Sequence, residues 1–220
     1  MFAPPAVSRL PRLWIPLATL VLVLVLGLSS PARAQTWNET GDAGDLVSTA
    51  QTTIGAGSLT AINGNLASPT DVDLYCIKLT SVPPAGLPLV SLQCAAIQGP
   101  NVWLFDAAGN GIFSNTTCSA GNKRILAPSI SLPVGTYYVG VSYFGLDPQS
   151  SGGAMWTSAL PSQRAPDGPG AAGTLASWAG SPNVQPINPY QMNLSFMSFC
   201  DDATPARRTT WGSLKVRYGH

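Results

Sequence analysis

Histidine is almost missing: among 220 residues there is one, His220, at the last position. A hydrolytic triad sets a general base beside its nucleophile, and a lone imidazole at the end of the sequence does not supply one. Charge is scarce as well, at 10% of the chain. Three of the 11 basic residues (Arg9, Arg12 and Arg33) fall in the leader described below, which leaves 8 basic against 10 acidic residues. Nucleic-acid binding needs a concentrated positive field, so no nucleic-acid partner is expected. No Cys-x-x-Cys pair occurs, which removes the usual spacing of a zinc site. No second long apolar run follows the leader, so no membrane span is expected after its cleavage. Asp71 with Asp73 and Asp42 with Asp45 stand close in sequence, but Asp beside Gly serves turns and ions more often than proton transfer. The expectation is a protein that is not an enzyme.

What is present points to export and to strands. Residues 1–34 have the parts of a signal peptide in order: Arg9 and Arg12, an apolar run from Trp14 to Leu28, then Pro31-Ala32-Arg33-Ala34, with cleavage after Ala34. The mature chain is then secreted, periplasmic or at the cell surface. Its four cysteines, Cys76, Cys94, Cys118 and Cys200, form an even set in an oxidising compartment, and two disulfides follow. Three connectivities are open. A turn between Val82 and Leu87 would set two antiparallel strands side by side, which favours Cys76 with Cys94 and leaves Cys118 for Cys200.

With 22 Gly and 20 Pro, the composition favours turns and strands over helices. Asn101 to Thr116 reads as a hairpin: Val102, Trp103, Leu104 and Phe105 suit a strand, and Asn110-Gly111 tolerates positive φ at the turn. Asp71 to Leu79 alternates, with Tyr75, Ile77 and Leu79 on one face and Leu74, Cys76 and Lys78 on the other. Val90, Leu92, Cys94 and Ala96 mark a further strand. In Tyr137 to Tyr143 the residues Tyr137, Val139, Val141 and Tyr143 share a face that should pack inward. Ser142 then points outward, where an Asp should be tolerated. Residues 145–189 carry seven Gly and seven Pro in 45 residues, the composition of an irregular excursion. Met155, Trp156 and Trp178 within it should lay it across a sheet. A closing strand from Tyr190 to Phe199 should send Leu194 and Phe196 into the core. A sandwich of residues 35–200 followed by a tail, 201–220, completes the expected organisation.

The motifs together resemble those of the bacterial pre-peptidase C-terminal domains, small secreted β-sandwiches found beside exported enzymes. Gly64-Asn-Leu66 with Asp71-Val-Asp-Leu-Tyr75, then Val102 to Gly111, Gly135-Thr-Tyr-Tyr-Val139 and Tyr190 to Leu194 are similar to that family's motifs and stand in the same order. The resemblance implies an all-β, antiparallel, jelly-roll-like sandwich without catalytic machinery, and calcium is a precedent among some members.

Calcium takes six to eight oxygens, so more than one Asp pair has to converge. Asp71 and Asp73 at the start of a strand, with Asp42 and Asp45 from the Gly41-Asp-Ala-Gly-Asp45 lead-in, are the candidate ligands. The competing reading has Asp71 capping a turn and Asp73 meeting a backbone amide or an arginine. Trp156 and Trp178 are candidate stacking platforms for sugar, against a plainer role as covers of the sheet. Two functions are carried forward. One is a binding or adhesion module for polysaccharide, protein or another cell-envelope component; the other is a structural, export-assisting module with no specific ligand.

Overall fold

The computed structural model describes residues 34–94, 99–117, 123–157, 163–182 and 189–202. The leader other than Ala34, Cys118 and most of the 201–220 tail lie outside them. The fold is all-β, with no helix among the described residues, and hence none long and apolar enough to cross a membrane.

Two sheets form the sandwich. One runs Gln35–Asn38, Leu59–Gly64, Tyr190–Leu194, Val90–Gln93, Lys123–Leu126 in spatial order. The other runs Gln163–Arg164, Gly111–Asn115, Asn101–Asp106, Gly135–Ser142, Val72–Leu79, Met197–Phe199. Pairing within them is mostly antiparallel. Gln35–Asn38 against Leu59–Gly64 and Gln51–Thr52 against Val72–Leu79 are parallel exceptions at the margins of the expected antiparallel sandwich.

The hairpin forms where the sequence suggests, between Asn101–Asp106 and Gly111–Asn115. Its turn is built differently. Gly109, with φ of 88°, takes the left-handed position. Asp106 Oδ1 accepts the amides of Ala108 and Asn110, and Oδ2 accepts Asn110 Nδ2. An aspartate that caps its own turn in this way sets the turn without an Asn-Gly pair in positive φ.

Inner-face residues Tyr75, Ile77, Leu104, Val139, Val141 and Leu194 all lie in the core between the sheets, as their alternation requires. Phe196 does not. The alternation ends at Leu194, because Ser195 and Phe196 carry the chain from one sheet to the other before Met197 resumes it. Phe196 sits in that crossing, 41% exposed, with φ of 62°.

The same error of neighbourhood explains the disulfides. Val72–Leu79 and Val90–Gln93 are consecutive but belong to different sheets, so residues 80–89 form a bridge between layers and no hairpin. Cys76 therefore never faces Cys94. Its neighbour is Met197–Phe199, in a register that pairs Met197 with Leu79 and Phe199 with Ile77. The next pair along is Cys200 with Cys76, and these are joined, with Cα atoms 5.5 Å apart. Both expected pairings, Cys76 with Cys94 and Cys118 with Cys200, are corrected by this bond. Cys94 is disulfide-bonded too.

The outer face of the larger sheet is also sealed. Leu74, Trp103 and Phe105 pack there against Met155, Trp156 and Leu175 of the excursion, with Trp178 at the margin. The excursion contains short strands of its own, Leu146–Ser150 pairing with Gly153–Ala154 and Ser177–Gly180. The rings meet edge to face or tilted, Trp103 to Trp156 at 5.2 Å and Phe105 to Trp156 at 5.9 Å between centroids. Such contacts add roughly 0.5–1.5 kcal/mol each beyond burial. Ser142 is consequently buried: its hydroxyl accepts Trp103 Nε1 at 2.9 Å and donates to the Leu146 carbonyl at 2.8 Å. The expected tolerance of an Asp at Ser142 is corrected, since an added charge there has no route to water.

Candidate functional site

Carboxylates gather at the end of the sandwich where Val72–Leu79 begins. The Gln35–Asn38 strand delivers Glu39 to that edge, the turn after it carries Asp42, and Asp73 projects from the second residue of its strand. Glu39, Asp42 and Asp73 each offer an oxygen within 4.8 Å of the others. Ligand atoms about 2.4 Å from a common calcium ion are separated by up to about 4.8 Å, so the trio suits one ion.

The lead-in is shaped to bring these groups together. Glu39 accepts the Ala43 amide at 3.1 Å on one oxygen and the Asn65 amide at 2.7 Å on the other. Asp42 Oδ1 accepts the Gly44 amide at 2.9 Å, closing a small turn in which Gly41 and Gly44 have φ of 75° and 67°. The Gly44 carbonyl in turn accepts the Leu74 amide, which stitches the loop to the strand beside Asp73.

Asp73 is the one fully buried carboxyl among the described residues, at 0% exposure. Tyr190 Oη donates to its Oδ2 at 2.6 Å, and Tyr75 Oη lies 2.9 Å from Tyr190 Oη. Gly64, paired with Tyr190 in the neighbouring strand, leaves room for both phenols; a Cβ at that position would overlap their hydroxyls. Asp73 Oδ1 accepts no hydrogen bond from a fixed donor. Burial pushes the Asp73 carboxyl up to about 8; the nearby charges of Glu39, Asp71 and Asp42 add to this, and the Tyr190 hydroxyl opposes it. Burial also raises Glu39, against the pull of its two backbone amides. The pocket thus holds more negative charge than its own donors neutralise. A proton or a cation relieves it.

Of the four aspartates expected to converge, Asp42 and Asp73 do so. Asp45 is exposed, and its backbone carbonyl accepts Trp178 Nε1 at 2.7 Å. Asp71 accepts the Ala67 amide, as the capping reading has it, and is raised chiefly by burial, with Asp42 and Asp45 contributing through charge. Glu39 is the candidate ligand that the sequence reading missed. Its signal was its position, immediately after a short strand and two residues before the Gly-Asp-Ala-Gly-Asp turn.

The tryptophans are placed elsewhere. Trp156 is 2% exposed and its Nε1 donates to the Arg164 carbonyl, so its ring face is not open for stacking. Trp178 is half-buried against Trp103 and Phe105. The rim of Trp156 does line a surface cleft of about 430 Å³, together with Asp147, Gln149, Thr157 and Ala179. Burial raises the Asp147 carboxyl, with Arg164 opposing through charge.

No protein-family model matches this chain, and a comparison with curated proteins finds no match either.

Proposed function

We propose that the chain is a non-catalytic exported module that binds a cell-envelope component, a polysaccharide foremost, and that calcium completes its acidic end. The observation that carries the calcium reading is Asp73, buried, with an Oδ1 that accepts no hydrogen bond from a fixed donor and a carboxylate oxygen within 4.8 Å of one each from Glu39 and Asp42. Three carboxylates balance a divalent cation with charge to spare, and backbone carbonyls and water complete a shell of six to eight oxygens. In this reading the ion has a structural task. It fixes the 39–45 loop, which supplies few apolar side chains of its own, against the strand that begins at Val72.

For the ligand, the cleft beside Trp156 is the supporting feature. Its volume falls within the range of small-ligand sites, roughly 300–1,000 Å³. Asp147, Gln149 and Thr157 offer polar groups beside an indole edge, a mixture that suits hydroxyl-rich molecules with an apolar face. The likeness of the motifs to pre-peptidase C-terminal domains supports a module that accompanies exported proteins.

The calcium reading is tested by the thermal midpoint of the mature protein in millimolar calcium and in chelator. A ligand at a hundredfold excess over Kd stabilises by about 2.7 kcal/mol, and the gain should vanish in Asp73→Asn. An equal midpoint in both buffers would sink it. The polysaccharide reading is tested on a glycan panel, where saturable binding should be lost in Asp147→Ala. No retention on any glycan or envelope fraction would leave the export-assisting structural module as the better description.

A further inference from the structure

The large apolar side chains left exposed are not scattered. Among the described residues there are six: Ile54, Val82, Leu87, Ile130, Val134 and Phe196. Five of them, all but Ile54, lie on three connections that the topology brings to one end of the sandwich. Residues 80–89 leave Leu79, residues 127–134 lead into Gly135, and 195–196 precede Met197; Leu79 pairs with both Gly135 and Met197. The other sheet agrees, since Val90 pairs with Leu126 and with Leu194. Gly86 donates its amide to the Pro128 carbonyl at 2.8 Å, and Ser195 donates to Leu89 at 2.9 Å, so the three loops are tied to one another. This end is the far one from the carboxylates, roughly 20 Å along the strand from Asp73 to Leu79.

Two further features set it apart. The twenty residues 80–89, 127–134 and 195–196 contain no Asp, Glu, Lys or Arg; charge stands beside these loops, where Asp202 lines one cleft with Thr80 and Asp106 lies near Tyr137. Phe196, moreover, is the one non-glycine residue with positive φ among the described residues, at 62°. An aromatic in left-handed backbone is an outlier of a kind that concentrates at functional sites. The strained backbone presents the ring to solvent instead of hiding it.

We infer that these three uncharged loops form a membrane-docking surface, which inserts its aliphatic tips and Phe196 into the headgroup–acyl boundary of a lipid bilayer. The exposed fractions are 56, 43, 50, 57 and 41% for Val82, Leu87, Ile130, Val134 and Phe196. At side-chain areas on the order of 150–200 Å², they leave roughly 400 Å² of apolar surface, a patch size often associated with function. A stable pair of copies buries about 800 Å² on each partner, so this patch alone does not sustain a dimer. Loop tips at the end of a sandwich also project, whereas a protein partner's helix or strand asks for a groove or a free edge. The absence of Lys and Arg from these loops points to apolar insertion without any demand for anionic lipid. The inference rests on the reading of the chain as an exported binding module only in requiring a membrane within reach. It uses no residue of the cleft or of the carboxylate cluster.

The test is flotation of the mature protein with phosphatidylcholine vesicles and with vesicles that also contain phosphatidylglycerol. Binding to both is expected, and Val82→Ser with Val134→Ser should weaken it about tenfold, in keeping with the apolar area removed. Phe196→Gly separates docking from folding, because glycine accepts the backbone without strain: vesicle binding should fall while the thermal midpoint holds or rises. The inference is overturned by wild-type protein that binds neither vesicle or only the anionic one, or by variants that float like wild type. It is equally overturned by a concentration-dependent dimer in sedimentation that the same variants abolish. A negative glycan panel leaves this experiment untouched, so the two readings fail separately.

Discussion

The larger sheet is covered on both faces, but the covers differ in kind. Its inner face meets a second sheet, regular and built from strands distributed along the whole chain, with aliphatic residues and tyrosines in layers. Its outer face meets the described parts of the excursion, 145–157 and 163–182, whose grip comes from a few large side chains: Trp156 and Met155 set against Trp103, Phe105 and Leu74. Burial by a sheet spreads the stabilisation over many positions. Burial by a loop concentrates it in two or three, so the outer face should come apart locally while the inner one fails only with the whole domain.

The sharpest test of that contrast is a charge on each face. Val141→Asp places an unpaired carboxylate between the sheets, a cost of more than about 4 kcal/mol that should abolish recovery of soluble protein. Ser142→Asp, one residue on, should be nearly as severe, since a buried carboxylate there cannot donate to the Leu146 carbonyl as the hydroxyl does. If Ser142→Asp protein were as stable as wild type in a urea titration, the outer face would not be sealed.

Next in size is the disulfide that ties Met197–Phe199 to the edge of the same sheet. Cys76 and Cys200 are separated by 124 residues, and the chain-entropy model gives about 4.7 kcal/mol for a loop of about 100. Cys76→Ala with Cys200→Ala should lower the unfolding midpoint accordingly in denaturant, and a midpoint within error of wild type would contradict it.

Trp156→Ala should cost about 3–4 kcal/mol of local stability. Its signature is positional: proteolytic cleavage within 145–182 should accelerate while hydrogen exchange at Val139 and Val141 stays protected. Loss of protection at both would mean that the two faces stand or fall together.

The smallest effect comes from the carboxyl on the inner face. Asp73 is raised to about 8 by burial from an ordinary value of 3.8. Between those two values the folded state holds a proton that the unfolded state has released, so stability falls as pH rises from about 4 to about 8 and levels off on either side. In chelator the decline should amount to roughly 1–3 kcal/mol, less than the full shift implies, because the proton is shared with Glu39. Asp73→Asn should flatten the curve. Thermal midpoints across that range decide it, and a midpoint that climbed with pH would reverse the sign.

Much of the sandwich was legible because its strands alternate. Tyr75, Ile77, Leu104, Val139, Val141 and Leu194 were placed inward by period alone, and the structure keeps them there. Period says nothing about a second cover, which is why Ser142 was misjudged: a small polar residue on an outer face looks solvated until a loop arrives from elsewhere. Nor does it report which strands are neighbours. Cys76 finds Cys200 because residues 80–89 change layers, and no local pattern marks a bridge between sheets as distinct from a hairpin. At the acidic end, Asp42 and Asp73 were readable from their turns and strand. Glu39 was not, because what makes it a candidate ligand is the parallel pairing of Gln35–Asn38 with Leu59–Gly64, a contact between segments too polar to advertise it.

The Cys76–Cys200 bond also has a temporal side. A polypeptide is made from its amino terminus, so Cys94 and Cys118 emerge before Cys200 does, and the first thiols available to Cys76 are the wrong ones. Thr53 sharpens the point, because its hydroxyl binds the Cys76 carbonyl at 2.7 Å and accepts the Cys200 amide at 2.9 Å, a junction that needs both ends of the chain. The edge of the larger sheet therefore closes last. A newborn chain either keeps Cys76 reduced until its carboxy-terminal strand arrives or exchanges an early, non-native bond for the final one. On the second route maturation is paced by thiol exchange, and a host poor in disulfide isomerase should then accumulate the mispaired form even when every strand is sound.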